Sequence, residues 1–194
     1  MRHSAARAIG FLFLAFAISG CGPRSDEASE IHCSSVPDIP TGEAPADPEF
    51  TLYGFPRIAA TGHFTPGQET TVSADAVRVT LPADLHTEPL DFELLLGNVS
   101  DWQPCMGSER IVISPYAFRA TNSTTRKLIG RFDNPAISRI TDPRIKSSAL
   151  YWITSAENPP SVEPSSPQPP VEGTTVRVEN QFTRRGWFVT VKRG

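Results

Sequence analysis

Leu90-Asp91-Phe92-Glu93-Leu94-Leu95-Leu96 decides the fold class. Leu90, Phe92, Leu94 and Leu96 alternate with Asp91, Glu93 and Leu95, the period of two expected of a half-buried strand. Outward from this segment the period recurs. Within residues 71–81, Val77, Val79 and Leu81 share one parity, and Arg78 and Thr80 the other. Tyr116, Phe118 and Ala120 alternate with Ala117, Arg119 and Thr121. A polar turn at 122–125 then leads to Leu128, Gly130 and Phe132, which predicts a β-hairpin. A second hairpin is predicted at the C-terminus, with Val176 and Val178 before a turn at 183–186 and Trp187, Val189 and Val191 after it. Helix signals are few. Asp142-Pro143 suits the start of a short helix through Trp152, because Asp caps well and Pro fits the first turn. Residues 149–154 read equally as a strand. Short strands at this spacing predict an all-β domain over residues 50–194, either a β-sandwich (immunoglobulin-like or similar) or a small barrel.

Two segments break the pattern. Residues 22–49 are rich in Pro, Ser, Asp and Glu, with few apolar side chains to offset the entropy of ordering them. They read as a flexible tether with a root-mean-square reach of about 30 Å. Residues 158–173, NPPSVEPSSPQPPVEG, hold six prolines and read as an extended, polyproline-like loop. Strand candidates follow it, so it connects strands and is not a terminal tail. It is either a proline-rich ligand for another domain or a solvated spacer.

The N-terminus carries a different message. Arg2 and Arg7 make residues 1–7 positive, and Ile9 to Ile18 reads IGFLFLAFAI. A run of about ten is short for a bilayer span, which takes about 20 residues, but suits the apolar region of a signal peptide. Ile18-Ser19-Gly20-Cys21 follows and resembles the lipobox of bacterial lipoproteins: aliphatic, small, small, cysteine. The resemblance covers about the first two dozen residues. It implies that residues 1–20 are a removable signal and that the Cys21 thiol carries a diacylglycerol. The residue after Cys21 is Gly22, whereas an aspartate there tends to retain Gram-negative lipoproteins at the inner membrane. The resemblance therefore implies an outer-membrane anchor facing the periplasm. An ordinary secretory signal with a chance cysteine is the alternative.

With Cys21 acylated, Cys33 and Cys105 remain, and only one intramolecular pairing is open to them. The compartment beyond the inner membrane permits disulfides. A Cys33–Cys105 bond would pin the end of the tether to the domain; two separate thiols are the alternative. Charge is split along the chain. Residues 21–102 hold three basic and fourteen acidic residues, residues 103–194 thirteen and seven. The split means either a basic face for an anionic partner or two halves that neutralise each other within one domain. Nucleic acid is an unsuitable partner for an exported lipoprotein.

Catalytic and metal-binding patterns are missing. There is no Gly-x-Ser-x-Gly and no Ser-x-x-Lys, and Thr124-x-x-Lys127 matches the latter in spacing only. His32, His63 and His86 are scattered, and no Cys or His pair has metal-ligand spacing. No cofactor is indicated. Asp91 and Glu93, two apart on a strand, share a face about 7 Å apart, in the range of paired carboxylates for glycoside hydrolysis; the wet side of an amphipathic strand explains them as well. Arg184-Arg185, at the tip of the predicted second hairpin, is either a contact for an anionic lipid or acidic protein or a solvated turn. The resulting expectation is a lipid-anchored binding lipoprotein with an envelope protein partner, of assembly or inhibitor type. Its alternatives are an envelope hydrolase of peptidoglycan or glycans, and a purely structural lipoprotein.

Overall fold

The segment around Phe92 folds as its period dictates. In the computed structural model, which describes residues 31–34, 54–145, 148–154, 160–183 and 185–192, Leu90–Leu96 is a strand with Leu90, Phe92, Leu94 and Leu96 buried. Asp91 and Glu93 on the opposite parity are partly exposed. The signal, Cys21 and most of the tether lie outside the described residues.

In chain order the first strands are β1 (Ile31–His32), β2 (Arg57–Phe64), β3 (Thr70–Ala74), β4 (Val77–Leu81) and β5 (Leu90–Leu96). One helical turn, α1 (Val99–Trp102), and a 3-10 turn (Gln103–Met106) follow. Next come β6 (Glu109–Ile111), β7 (Tyr116–Asn122) and β8 (Arg131–Thr141). The last are β9 (Ser148–Thr154), β10 (Ser161–Pro164), β11 (Val171–Glu172), β12 (Thr175–Phe182) and β13 (Arg185–Lys192). They form two antiparallel sheets. The larger has eight strands in the order β1-β10-β9-β13-β7-β5-β2, with β6 also paired to β13, and the smaller runs β11-β12-β8-β4-β3. Both sheets keep open edges, so the architecture is a β-sandwich and the barrel alternative falls away.

The main core lies between the sheets. Phe92 packs on Phe118 of the same sheet at 5.2 Å between ring centroids and on Phe132 of the facing sheet at 6.4 Å. Each such buried side chain contributes about 1.5–3 kcal/mol relative to exposure. A second, smaller core covers the other face of the larger sheet. There Leu95, Ala117 and Phe188, all of the outward parity, are buried beneath Phe55, Trp102, Met106 and Cys33. The rings of Phe55 and Phe188 flank Trp102 at 5.7 and 6.3 Å. The indole nitrogen of Trp102 donates to the Gly54 carbonyl at 3.2 Å. This lid explains why Leu95 interrupts the polar parity of its strand. Gly186 also belongs to this face, and a Cβ there would lie 2.2 Å from Phe55 Cζ, so the ring rests directly on the backbone.

Cys33 and Cys105 lie at disulfide distance, with Cα atoms 5.5 Å apart and 72 residues between them in sequence. The Cys33 amide donates to the Pro160 carbonyl at 2.7 Å, and β1 pairs with β10. Part of the expected tether is thus built into the larger sheet.

Several expectations need correction. Neither predicted hairpin forms as such, because β7 and β13 belong to the larger sheet and β8 and β12 to the smaller. The first turn does form: Asn122 Oδ1 accepts from the Thr124 and Thr125 amides at 2.9 and 2.7 Å. Pairing then ends after the Thr121–Leu128 bridge, and the chain crosses to the facing sheet at Gly130. The second crossing, at Thr183, is clasped against the first by the Thr183 amide donating to the Gly130 carbonyl at 3.2 Å. The apolar parity of each segment is satisfied on either sheet, since both face one core. Residues 71–81 contain a hairpin, β3–β4, that turns at Asp75 with φ 48°. Residues 148–154 are strand, and Asp142 instead forms a tight turn with Arg144. The proline-rich segment is not all loop, since it contributes β10, paired between β1 and β9 of the larger sheet, and β11, at an edge of the smaller.

Candidate functional site

The stretch between β10 and β11 passes from one sheet to the other, and a groove of about 470 Å³ opens beneath it. Ser165, Pro167 and Pro169 form one wall, and Phe182 and Arg185 line it with Trp187 and Asn180. Asn180 lies on the core parity of β12 yet is polar. Its Oδ1 accepts from the Phe182 amide at 2.9 Å, within the irregularity that shifts the register between Asn180 and Phe182. The residue is 2% exposed, and among the described residues its Nδ2 has no hydrogen-bond partner. A buried donor left without a partner is destabilising by about 1–3 kcal/mol.

Phe182 is 40% exposed, one of two large apolar side chains exposed to that degree among the described residues. The Arg185 and Arg131 guanidinium carbons stand 5.1 and 5.5 Å from its ring centroid. Cations over an aromatic face order the ring and concentrate positive charge at the groove mouth. Burial lowers the Arg185 guanidinium from its ordinary value, and Glu163 opposes that shift. The group remains a cation at neutral pH, since arginine does not deprotonate in proteins.

The structure thus joins two features that were separate in sequence, the proline-rich segment and Arg185. Arg185 is not at a hairpin tip but opens β13, paired with Thr154. Arg184 lies outside the described residues. Asn180 and Phe182 were missed. Phe182, an aromatic inside the polar run Glu179-Asn180-Gln181-Phe182-Thr183, was the available signal.

Asp91 and Glu93 are elsewhere, on the outer face of the larger sheet. Asp91 Oδ2 pairs with Arg126 at 2.6 Å, and Glu93 pairs with Arg119, so acids of the first half of the chain meet bases of the second. The hydrogen bond from His63 holds the Asp91 carboxyl below its ordinary value of 3.8; partial burial opposes this, while Ser123 and Arg126 add to it. A general acid of a glycosidase needs the opposite shift. The same fold brings Ser123, His63 and Asp91 together. Ser123 Oγ donates to Asp91 Oδ1 at 3.0 Å and lies 3.5 Å from His63 Nδ1, which also faces Asp91 at 3.0 Å. A nucleophile relay divides serine and carboxylate between the two ring nitrogens; here one nitrogen meets both. The cluster is a surface network, not a relay.

Comparison with family models, with curated proteins and with solved structures finds no match. The groove is therefore interpreted from its own chemistry.

Proposed function

We propose that this chain is a lipid-anchored envelope lipoprotein, acylated at Cys21 and held at the outer membrane facing the periplasm. Its sandwich serves as a non-enzymatic binding domain for an envelope protein partner. The observation that carries the binding role is the groove, where a buried amide donor at Asn180, an exposed ring at Phe182 and a guanidinium at Arg185 line one recess. A peptide segment suits the groove: an apolar side chain against Phe182 and a carboxylate for Arg185. A short lipid tether would raise the effective concentration of such a module next to other envelope proteins.

A photo-crosslinking residue at 182 or 167, in living cells, tests the binding role. One dominant protein partner is expected, absent when the probe sits at Thr61 on the far face and lost in Asn180→Ala or Arg185→Ala. Equal labelling from both faces, or none from the groove, removes the binding role and leaves the structural alternative. The anchor is tested separately: recovery in the soluble fraction with no lipid-sized mass on Cys21 would refute it.

A further inference from the structure

The outer face of the smaller sheet carries a row of arginines that local pairing does not account for. Arg78 on β4 lies directly opposite Arg139 on β8, and Arg139 lies directly opposite Arg177 on β12. All three are exposed. Directly opposed residues on neighbouring strands have Cβ atoms about 5 Å apart, and like charges so placed destabilise a sheet. Arg177 is offset by Glu179 at 2.7 Å. Among the described residues, Arg78 and Arg139 have no acidic partner within ion-pair distance. A cavity of about 370 Å³ lies at these two side chains, bordered also by Ser73 and Thr141. Asp75 borders it as well, with its carboxylate turned to Arg57 at 3.3 Å and Ser114 at 3.5 Å.

We infer that this cavity is a binding site for a phosphate group, held between the guanidinia of Arg78 and Arg139. A planar carboxylate satisfies one arginine fork with its single charge. A tetrahedral phosphate carries up to two charges and has oxygens pointing to both sides, so two forks about 5 Å apart at their roots can close on it together. The Ser73 hydroxyl supplies a further donor, and so does that of Thr141 when it accepts from Thr175, which lies 3.0 Å away. Binding relieves the repulsion that the unliganded sheet sustains. The site lies on the outer sheet face, and it stands or falls independently of the groove and of the lipid anchor.

The test is thermal unfolding and calorimetric titration of the whole chain with inorganic phosphate, against chloride at equal ionic strength. A phosphate-specific rise in Tm is expected. Arg139→Gln and Arg78→Gln should each weaken phosphate about 10- to 100-fold, the effect of losing one charge-assisted pair. In phosphate-free buffer the same variants should melt about 1–3 °C higher, because an opposed like charge has gone. Arg126→Gln, in the turn between β7 and β8 and paired with Asp91 of the larger sheet, should retain the full response. Two further arms identify the source. A response to inorganic phosphate and glycerol phosphate assigns a soluble ligand. Stronger retention on phosphatidylglycerol than on phosphatidylcholine vesicles, with that difference lost in Arg139→Gln, assigns a lipid headgroup; the apolar run at residues 9–18 contributes equally to both vesicle types and cancels from the difference. Equal shifts with phosphate and chloride, an unchanged response in both variants, or equal affinity for polyglutamate would overturn the inference.

Discussion

Leu95→Ala separates the local pattern of the chain from its folded packing. By strand alternation, position 95 shares the face of Asp91 and Glu93, where truncation changes stability by less than about 0.5 kcal/mol. In the structure Leu95 is completely buried, within the second core beneath Trp102, Phe55 and Phe188. Truncating a buried leucine removes its transfer free energy and leaves a cavity, together about 2–5 kcal/mol. The aromatic neighbours are held by the Trp102 bond to Gly54 and by the link at Cys105, which limits collapse into the void. A value near the middle of that range, about 3 kcal/mol, follows. For a domain of this size that lowers Tm by about 6–12 °C. Urea unfolding followed by tryptophan fluorescence should show a lower midpoint at unchanged m, with Asp91→Asn on the same face leaving the midpoint nearly unchanged. The Leu95→Ala and Cys105→Ser changes should also couple by more than about 0.5 kcal/mol, since both act on one cluster. A loss below about 1 kcal/mol for Leu95→Ala, or strict additivity, would refute the second core.

Reduction should add two hydrogens to the intact mass and remove about 4 kcal/mol of stability on the chain-entropy model, given the 72-residue separation; an unchanged mass and melt would exclude the bond. Gly186→Ala should be destabilising by about 1–3 kcal/mol, because its methyl would strike Phe55 at 2.2 Å, and Phe55→Leu should recover part of the loss. Asp91 should titrate below 3.8 by NMR in the folded protein and move upward in Arg126→Ala. Because its folded pKa is depressed, its contribution to stability is fully present above 3.8 and is lost as pH falls through the lower folded value. A titration at or above 3.8 would contradict the network.

Strand identity was legible along the chain because the pleat places successive side chains on opposite faces, and a buried face demands apolar residues at every second position. That reasoning identified β5, β7 and the apolar parity of β12 and β13, and with them the all-β class. It also marked the 122–125 turn, whose Asn122 side chain closes it locally. Sheet membership was not legible. The inward residues of β8 and β13 satisfy the same parity on either sheet, so local pattern cannot distinguish a hairpin from a crossing. Leu95 looked like an exception in an amphipathic strand, and only the return of α1 and Cys33 over the outer face made it core. The groove and the arginine row have the same origin. Asn180 and the proline-rich segment come to line one groove because the chain crosses between sheets, and Arg78, Arg139 and Arg177 meet one another through pairing between strands distant in sequence. Alternation along one strand sets which side a residue faces; which residues it faces is set by register and crossing, and those belong to the tertiary structure alone.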